Sequence, residues 1–189
     1  MSEPLQIIGI CGSLRAKSHS RALLRAIAEL LPAGSAFQEL DIGELPHYNE
    51  DCDGAASPNV VTKARMAVQQ ANAVIIVTPE FNHGVPGVLK NTLDWLSRPA
   101  FASCCINKPA LFATLSPGAL GGVRAQYQLR ETLSSMLCRL YPLMEIAVTH
   151  INGKLDGARL TDQPTVSHIR AVLSSFLKQT NLAIPVEAA

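Results

Sequence analysis

Ala73-Val74-Ile75-Ile76-Val77-Thr78 runs directly into Pro79-Glu80-Phe81-Asn82-His83-Gly84-Val85-Pro86, and this junction decides the fold. The first six residues are charge-free and mostly β-branched, which marks a strand buried on both faces. The next eight contain two prolines, a glycine and several polar residues, so regular structure stops there. Apolar residues at helical spacing resume over 87–96. A buried strand, a polar loop and a helix in that order form the repeating unit of a parallel α/β sheet.

The same unit recurs on both sides of this junction. Residues 5–11 (LQIIGIC) are nearly all apolar and read as another buried strand, followed by a polar loop over 12–18. Leu23, Leu24, Ile27, Ala28 and Leu31 then fall at helical spacing over 20–31, and Pro32 with Gly34 ends the run. A short strand is expected at 37–42, an irregular loop at 43–59 and a helix at 60–71. Downstream come a buried strand at 110–115, a loop at 116–122 and a long helix at 123–140. A strand at 145–148, a turn-rich stretch to 163 and a helix at 165–179 complete the pattern. Five buried strands alternating with five helices predict a parallel sheet with right-handed crossovers and helices on both faces, a three-layer sandwich. No repeat, low-complexity tract or linker divides the chain, so residues 1–189 read as one domain.

Composition narrows the function classes. Of 189 residues, 48% are apolar and 16% charged, which suits a large core and argues against disorder. A net charge of +1 without a Lys/Arg run gives no attraction to nucleic acid or to an anionic membrane. Met1-Ser2-Glu3-Pro4 lacks the basic start of a signal peptide, and no apolar stretch is long enough to span a membrane. The expected location is the cytoplasm. The five cysteines (Cys11, Cys52, Cys104, Cys105 and Cys138) have no CxxC or zinc-type spacing and read as reduced packing residues.

In a sheet of this kind, ligands bind beyond the carboxyl ends of the strands, where the strand order reverses. The loops richest in Gly, Ser and Asn all follow strands. The first, Gly12-Ser13-Leu14-Arg15-Ala16-Lys17-Ser18, opens a helix whose N-terminus presents free N–H groups. Ser13, Ser18 and Ser20 add hydroxyls and Arg15 adds a planar cation, more than a plain helix cap requires, so the loop reads as a phosphate cradle. It is neither a Walker A loop nor a GxGxxG turn. The second loop, Pro79–His83 with Gly84, can meet the polar rim of a flat heterocycle. The third, Ser116-Pro117-Gly118-Ala119-Leu120-Gly121-Gly122, lets backbone approach a ligand closely, with Arg124 and Gln126 just inside the next helix. Phosphate at one loop and a ring across the other two describe a mononucleotide.

The segments GSLRxxS, VTPEFNHGVPGVLKNTLDWLSRP and SPGALGGVRAQYQLR resemble those of the NAD(P)H-dependent FMN reductase family, in its branch of bacterial chromate and quinone reductases. The similarity spans about the first 150 residues. It implies a flavodoxin-like fold with strand order 2-1-3-4-5, non-covalent FMN, NAD(P)H as substrate, and homodimers or homotetramers. By that resemblance Ser13, Arg15, Ser18 and Ser20 hold the FMN phosphate. Pro79, Glu80, Phe81 and Asn82 line the isoalloxazine, with Ser116, Gly121 and Gly122 on its other side. Phe81 stands where the family more commonly has Tyr, removing a hydroxyl.

Such an enzyme needs no catalytic side chain, because the flavin carries the chemistry. That agrees with five histidines (His19, His47, His83, His150 and His168) that show no metal spacing. The expected activity is hydride transfer from NAD(P)H through FMN to a small acceptor (a quinone, azo compound, chromate or flavin) by a ping-pong mechanism. Two alternatives belong to other classes. A flavodoxin-type electron carrier is disfavoured by Arg15 and the +1 charge, and a flavin-based redox sensor would rest on Cys104 and Cys105 alone.

Overall fold

The strand expected at 73–78 forms as β3 (Ala73–Pro79) and lies at the centre of a five-stranded parallel sheet in the computed structural model, which describes residues 4–182. Met1, Ser2 and Glu3, on which the signal-peptide reading rests, lie outside the described residues. The strands are β1 (Gln6–Cys11), β2 (Ala36–Glu39), β3, β4 (Ala110–Leu115) and β5 (Ile146–Val148), in the order β2-β1-β3-β4-β5. All four pairings are parallel, with Gly9 beside Ile75 and Ile76 beside Phe112. This is the flavodoxin-like arrangement that the resemblance implies.

Alternation along each strand explains the nearly continuous apolar runs. Ile7, Cys11, Ile75, Val77, Leu111 and Ala113 face one core, closed by α1 (His19–Glu29) and α5 (Gln163–Gln179). Ile8, Ile10, Val74, Ile76 and Phe112 face the other, closed by α2 (Asn59–Gln70), α3 (Gly87–Leu96) and α4 (Val123–Ser135). A polar residue at either parity would lose its water and need a partner inside the core, as Thr114 has in Gln126. Each large side chain fully buried here, such as Leu93 or Phe176, contributes about 1.5–3 kcal/mol relative to exposure.

Several boundaries differ from the sequence reading. The expected helix 123–140 ends at Ser135, because Leu137 takes a left-handed conformation (φ 59°) and the chain turns back to bridge Arg139 with Pro109. The second strand stops at Glu39, although Leu40 and Ile42 remain buried. The loop over 43–59 contains two short 3-10 turns, Glu50–Cys52 and Gly54–Ala56. The turn-rich stretch after β5 holds a third, Ile151–Gly153, and a small antiparallel hairpin of β6 (Leu155–Asp156) and β7 (Arg159–Leu160) that packs near α1. Among the described residues no helix is long and apolar enough to cross a membrane.

Candidate functional site

β1 has β2 on one side and β3 on the other, so the connections leaving β1 and β3 diverge and open a crevice beyond their carboxyl ends. The floor of the crevice is tight. The Gly12 N–H donates to the Val77 carbonyl (2.8 Å), and a Cβ at Gly12 would stand 2.3 Å from Thr78 Oγ1. Only glycine fits where these two strand ends converge.

Loop one is braced from behind by residues that the motif does not reveal. Arg21 in α1 donates through Nε to Glu39 Oε1 (2.6 Å), through Nη1 to the Arg15 carbonyl (3.0 Å) and through Nη2 to the Ser13 carbonyl (3.3 Å). The loop carbonyls are thereby drawn away from the crevice. Ser18 is the N-cap of α1, its Oγ accepting the Arg21 N–H and lying 3.8 Å from Cys11 Sγ. Among the described residues no acceptor takes the N–H groups of Ala16, Lys17, His19 or Ser20, which leaves four backbone donors along the loop and the first turn of the helix. Ser13 and Arg15 are linked by a bond from the Arg15 N–H to Ser13 Oγ (3.4 Å), and the Arg15 side chain is exposed. Ser20 is buried at the first turn. Beneath the loop, Cys11 donates to the Ser13 carbonyl, and burial pushes its thiol pKa up. A neutral thiol there adds no repulsion toward an anion above it.

Loop two is more ordered than its composition suggests. Phe81 and Gly84 exchange backbone hydrogen bonds (2.9 Å each) around Asn82 and His83, both at positive φ (47° and 65°), which makes a two-residue hairpin of the primed type. Phe81 and His83 project outward, Phe81 being 59% exposed. The Glu80 carboxylate does not face the open ledge. Its Oε2 accepts the N–H groups of Arg124 (2.9 Å) and Ala125 (3.2 Å) and caps α4, whose own N-cap, Gly122, has no side chain to do so. Gln128 Oε1 likewise accepts the Val85 N–H (2.7 Å). Glu80 therefore ties loop two to loop three.

In loop three, Ser116 Oγ donates to the Gly118 carbonyl and Gly118 faces open space. Gly121 and Gly122 are buried at positive φ (61° and 80°). A Cβ at Gly121 would stand 2.8 Å from the Ala147 backbone, and one at Gly122 would stand 3.1 Å from Thr114 Cβ. The missing side chains of these glycines thus point back into the sheet and not across the ledge. Gln126 is also interior, accepting the Thr114 hydroxyl (3.0 Å). The remainder of the middle motif proves structural. Asn91 and Trp95 hold the 46–48 segment, Trp95 Nε1 donating to the Pro46 carbonyl (2.7 Å) and Asn91 Oδ1 accepting the Tyr48 N–H (2.7 Å).

A sequence profile described as NADPH-dependent FMN reductase matches residues 5–153, which include all three loops. The chain belongs to this family. Among its relatives, a quinone reductase of Pseudomonas putida is 34% identical over 186 residues, covering 96% of this chain and 98% of the relative. An NAD(P)H-dependent FMN reductase of Pseudomonas aeruginosa is 41% identical over 179 residues, covering 93% and 95%. The solved flavoenzyme NAD(P)H:(acceptor) oxidoreductase FerB of Paracoccus denitrificans superposes with a TM-score of 0.85 at 29% identity, covering 94% of this chain and 97% of that one. This FMN reductase is accordingly an FMN-dependent NAD(P)H oxidoreductase that reduces a small molecule.

The donor set suits that cofactor. Free N–H groups, hydroxyls and an exposed arginine at loop one match a phosphate dianion. Among the described residues no group of His, Cys, Asp or Glu side chains is arranged to hold a metal.

Proposed function

We propose that this reductase seats FMN with its phosphate on Ser13, Arg15, Ser18 and Ser20 and its isoalloxazine on the ledge formed by Pro79, Phe81, Asn82 and Ser116. In this reading Glu80, Gly121 and Gly122 shape the ledge and do not touch the ring with side chains. Bound FMN supplies hydride acceptance and release. The protein supplies anchoring at the phosphate, a fixed ring plane and an open approach. The observation that carries the reading is the run of unpaired N–H groups at the start of α1 beside the switch point of the sheet.

The acceptor we assign is a quinone, the class named in several relatives, with azo compounds, chromate and free flavin as further candidates. In this reading nicotinamide and acceptor use one flavin face and occupy the same space in turn. Parallel double-reciprocal plots for NAD(P)H against a benzoquinone are expected, and intersecting lines would overturn the shared site. A flavodoxin-type carrier would not oxidise NADPH steadily, so turnover of the purified protein separates the two.

The whole chain acts as one FMN-binding domain, working in the cytoplasm, where its five free thiols stay reduced. It assembles as a homodimer or homotetramer. Exposed Phe101 (88%) and Leu137 (47%) border a cleft of about 300 Å³ between the ends of α3 and α4, and these two side chains are what a second copy would cover. Light scattering tests this, and a fully active monomer would refute it.

A further inference from the structure

Three of the five cysteines meet at the edge of the sheet opposite the crevice, where the flavin chemistry has no use for them. Cys104 and Cys105 lie in the connection from α3 to β4, and Cys138 follows α4, thirty-three residues beyond Cys105. Two left-handed turns bring the segments together, at Asn107 (φ 58°) and at Leu137 (φ 59°). The Asn107 N–H donates to the Leu137 carbonyl (2.8 Å) and the Arg139 N–H to the Lys108 carbonyl (2.9 Å). Cys138 therefore sits between two backbone bonds to the 107–108 segment. The Lys108 ammonium donates to the Gln69 and Ala71 carbonyls and pins that segment to the end of α2. Pro109 bridges Arg139 just before β4 begins, which puts the cluster at the amino ends of the strands. All three thiols pack in the core closed by α2, α3 and α4. The Cys105 side chain is in hydrogen-bonding contact with those of both Cys104 and Cys138.

The three are not equivalent. Cys104 donates to the Leu96 carbonyl (3.5 Å), and its bond to Cys105 and its burial push its thiol up. Cys105 is buried. Cys138 is half-buried between exposed Leu137 and Arg139, and the hydrogen bond from Cys105 holds its thiol below the usual value. A reachable sulfur that ionises readily, with a second thiol against it, suits oxidation better than packing alone. Cys104 and Cys105 cannot close on each other, because adjacent Cα atoms are about 3.8 Å apart and a disulfide needs at least about 4.4 Å. None of the three lines the cleft beside Phe101 and Leu137. We propose that Cys105 and Cys138 are a modification site separate from the flavin site, reduced at rest and joined as a reversible disulfide by a peroxide. The Cys138 thiolate attacks one peroxide oxygen, the O–O bond breaks, and the leaving oxygen takes up a proton and departs as water, giving a sulfenic acid. Cys105 gives up its proton and attacks that sulfur, the S–O bond breaks and a second water leaves. The peroxide is reduced to two waters and the two thiols are oxidised to one disulfide. Two small cellular thiols reverse the step by exchange, becoming a disulfide themselves. The bond would staple the ends of α3 and α4, the helices that follow loops two and three.

The test is a hydrogen peroxide titration of the FMN-loaded enzyme, followed by alkylation and peptide mapping. One internal link, Cys105 to Cys138, is expected, with two thiols lost per chain and both regained with dithiothreitol. The melting temperature of the oxidised enzyme should rise by about 5–10 °C, the scale for closing a loop of this length in a chain of this size. In Cys105→Ala the reaction should halt at a sulfenic acid that dimedone traps on Cys138. Cys138→Ser should give no internal disulfide, and both reduced variants should oxidise NADPH as the wild type does. Mapping of the wild type decides the assignment whether or not the variants fold. Free thiols at 105 and 138 after peroxide has oxidised exposed Cys52, or a link from either to a different cysteine, would overturn it. A linked enzyme that melts no higher would refute the staple.

Discussion

Glu80 and Arg124 stand 44 residues apart in sequence, yet the Glu80 carboxylate receives the Arg124 backbone N–H at 2.9 Å. A second bond to the Ala125 N–H and a contact of 3.6 Å with the Arg124 guanidinium complete the junction. A helix that begins at glycine thus borrows its cap from the neighbouring loop, and negative charge meets the positive end of α4. Glu80→Ala should destabilise the protein by about 1–2 kcal/mol in urea unfolding, the cost of a lost cap. Glu80→Gln, which keeps an acceptor, should lose less. Hydrogen exchange at the start of α4 should accelerate in the alanine variant, and unchanged exchange there would contradict the capping role.

Arg15 and Arg21 separate binding from bracing. Arg15→Ala removes an exposed cation and should weaken FMN by about 1.5–3 kcal/mol while the apoprotein melts as before. Arg21→Ala removes two bonds to loop one and the Glu39 bond that anchors them, and should lower apoprotein stability as well as FMN affinity. Paired melting curves with and without FMN distinguish the outcomes. Equal behaviour of the two variants would be incompatible with this division of roles.

Glycines in loop three should respond unequally. Gly121→Ala introduces a Cβ 2.8 Å from the Ala147 backbone at a positive φ, so a loss of at least about 1–3 kcal/mol is expected from conformational strain alone. Gly118→Ala meets nothing nearer than Ser116 Oγ at 3.9 Å and should be tolerated. Thermal melting of the two apoproteins provides the comparison.

The 53–65 junction gives a pH dependence. The Arg65 guanidinium, 2.8 Å from Asp53, holds the Asp53 carboxyl at about 2. Because the folded value lies below the unfolded one, the contribution of this pair is complete above about pH 4. It disappears as pH falls through the folded value near 2. Asp53→Asn should therefore be less stable than wild type at neutral pH, with the difference shrinking as both are taken toward pH 2. A constant difference across that range would exclude the linkage.

The strands and their loops were legible because burial on two faces leaves an unmistakable trace, as in Ala73–Thr78. Loop one could be nominated from sequence because chemistry and position coincide at Ser13, Arg15 and Ser18. Leu137 shows the opposite case. A left-handed turn at leucine carries no local mark, so α4 appears five residues longer in sequence than it is. Glu80, Arg21 and Gln128 were missed as braces because their partners are distant in sequence or are backbone groups, which no spacing rule reveals. Gly121 and Gly122 were recognisable as necessary glycines, but only the fold shows that the necessity comes from the sheet beneath them.

The helices carrying the site belong to different layers. Loop one leads into α1 over one core, while loops two and three lead into α3 and α4 over the other. A cofactor resting on all three loops is then a rivet through the edge of the sandwich. Slip of one helical layer against the other would have to strip the ligand from half of its contacts. Loading with FMN should consequently stiffen elements that never touch it, and a cell starved of the vitamin precursor would hold this protein as a looser, more easily degraded form.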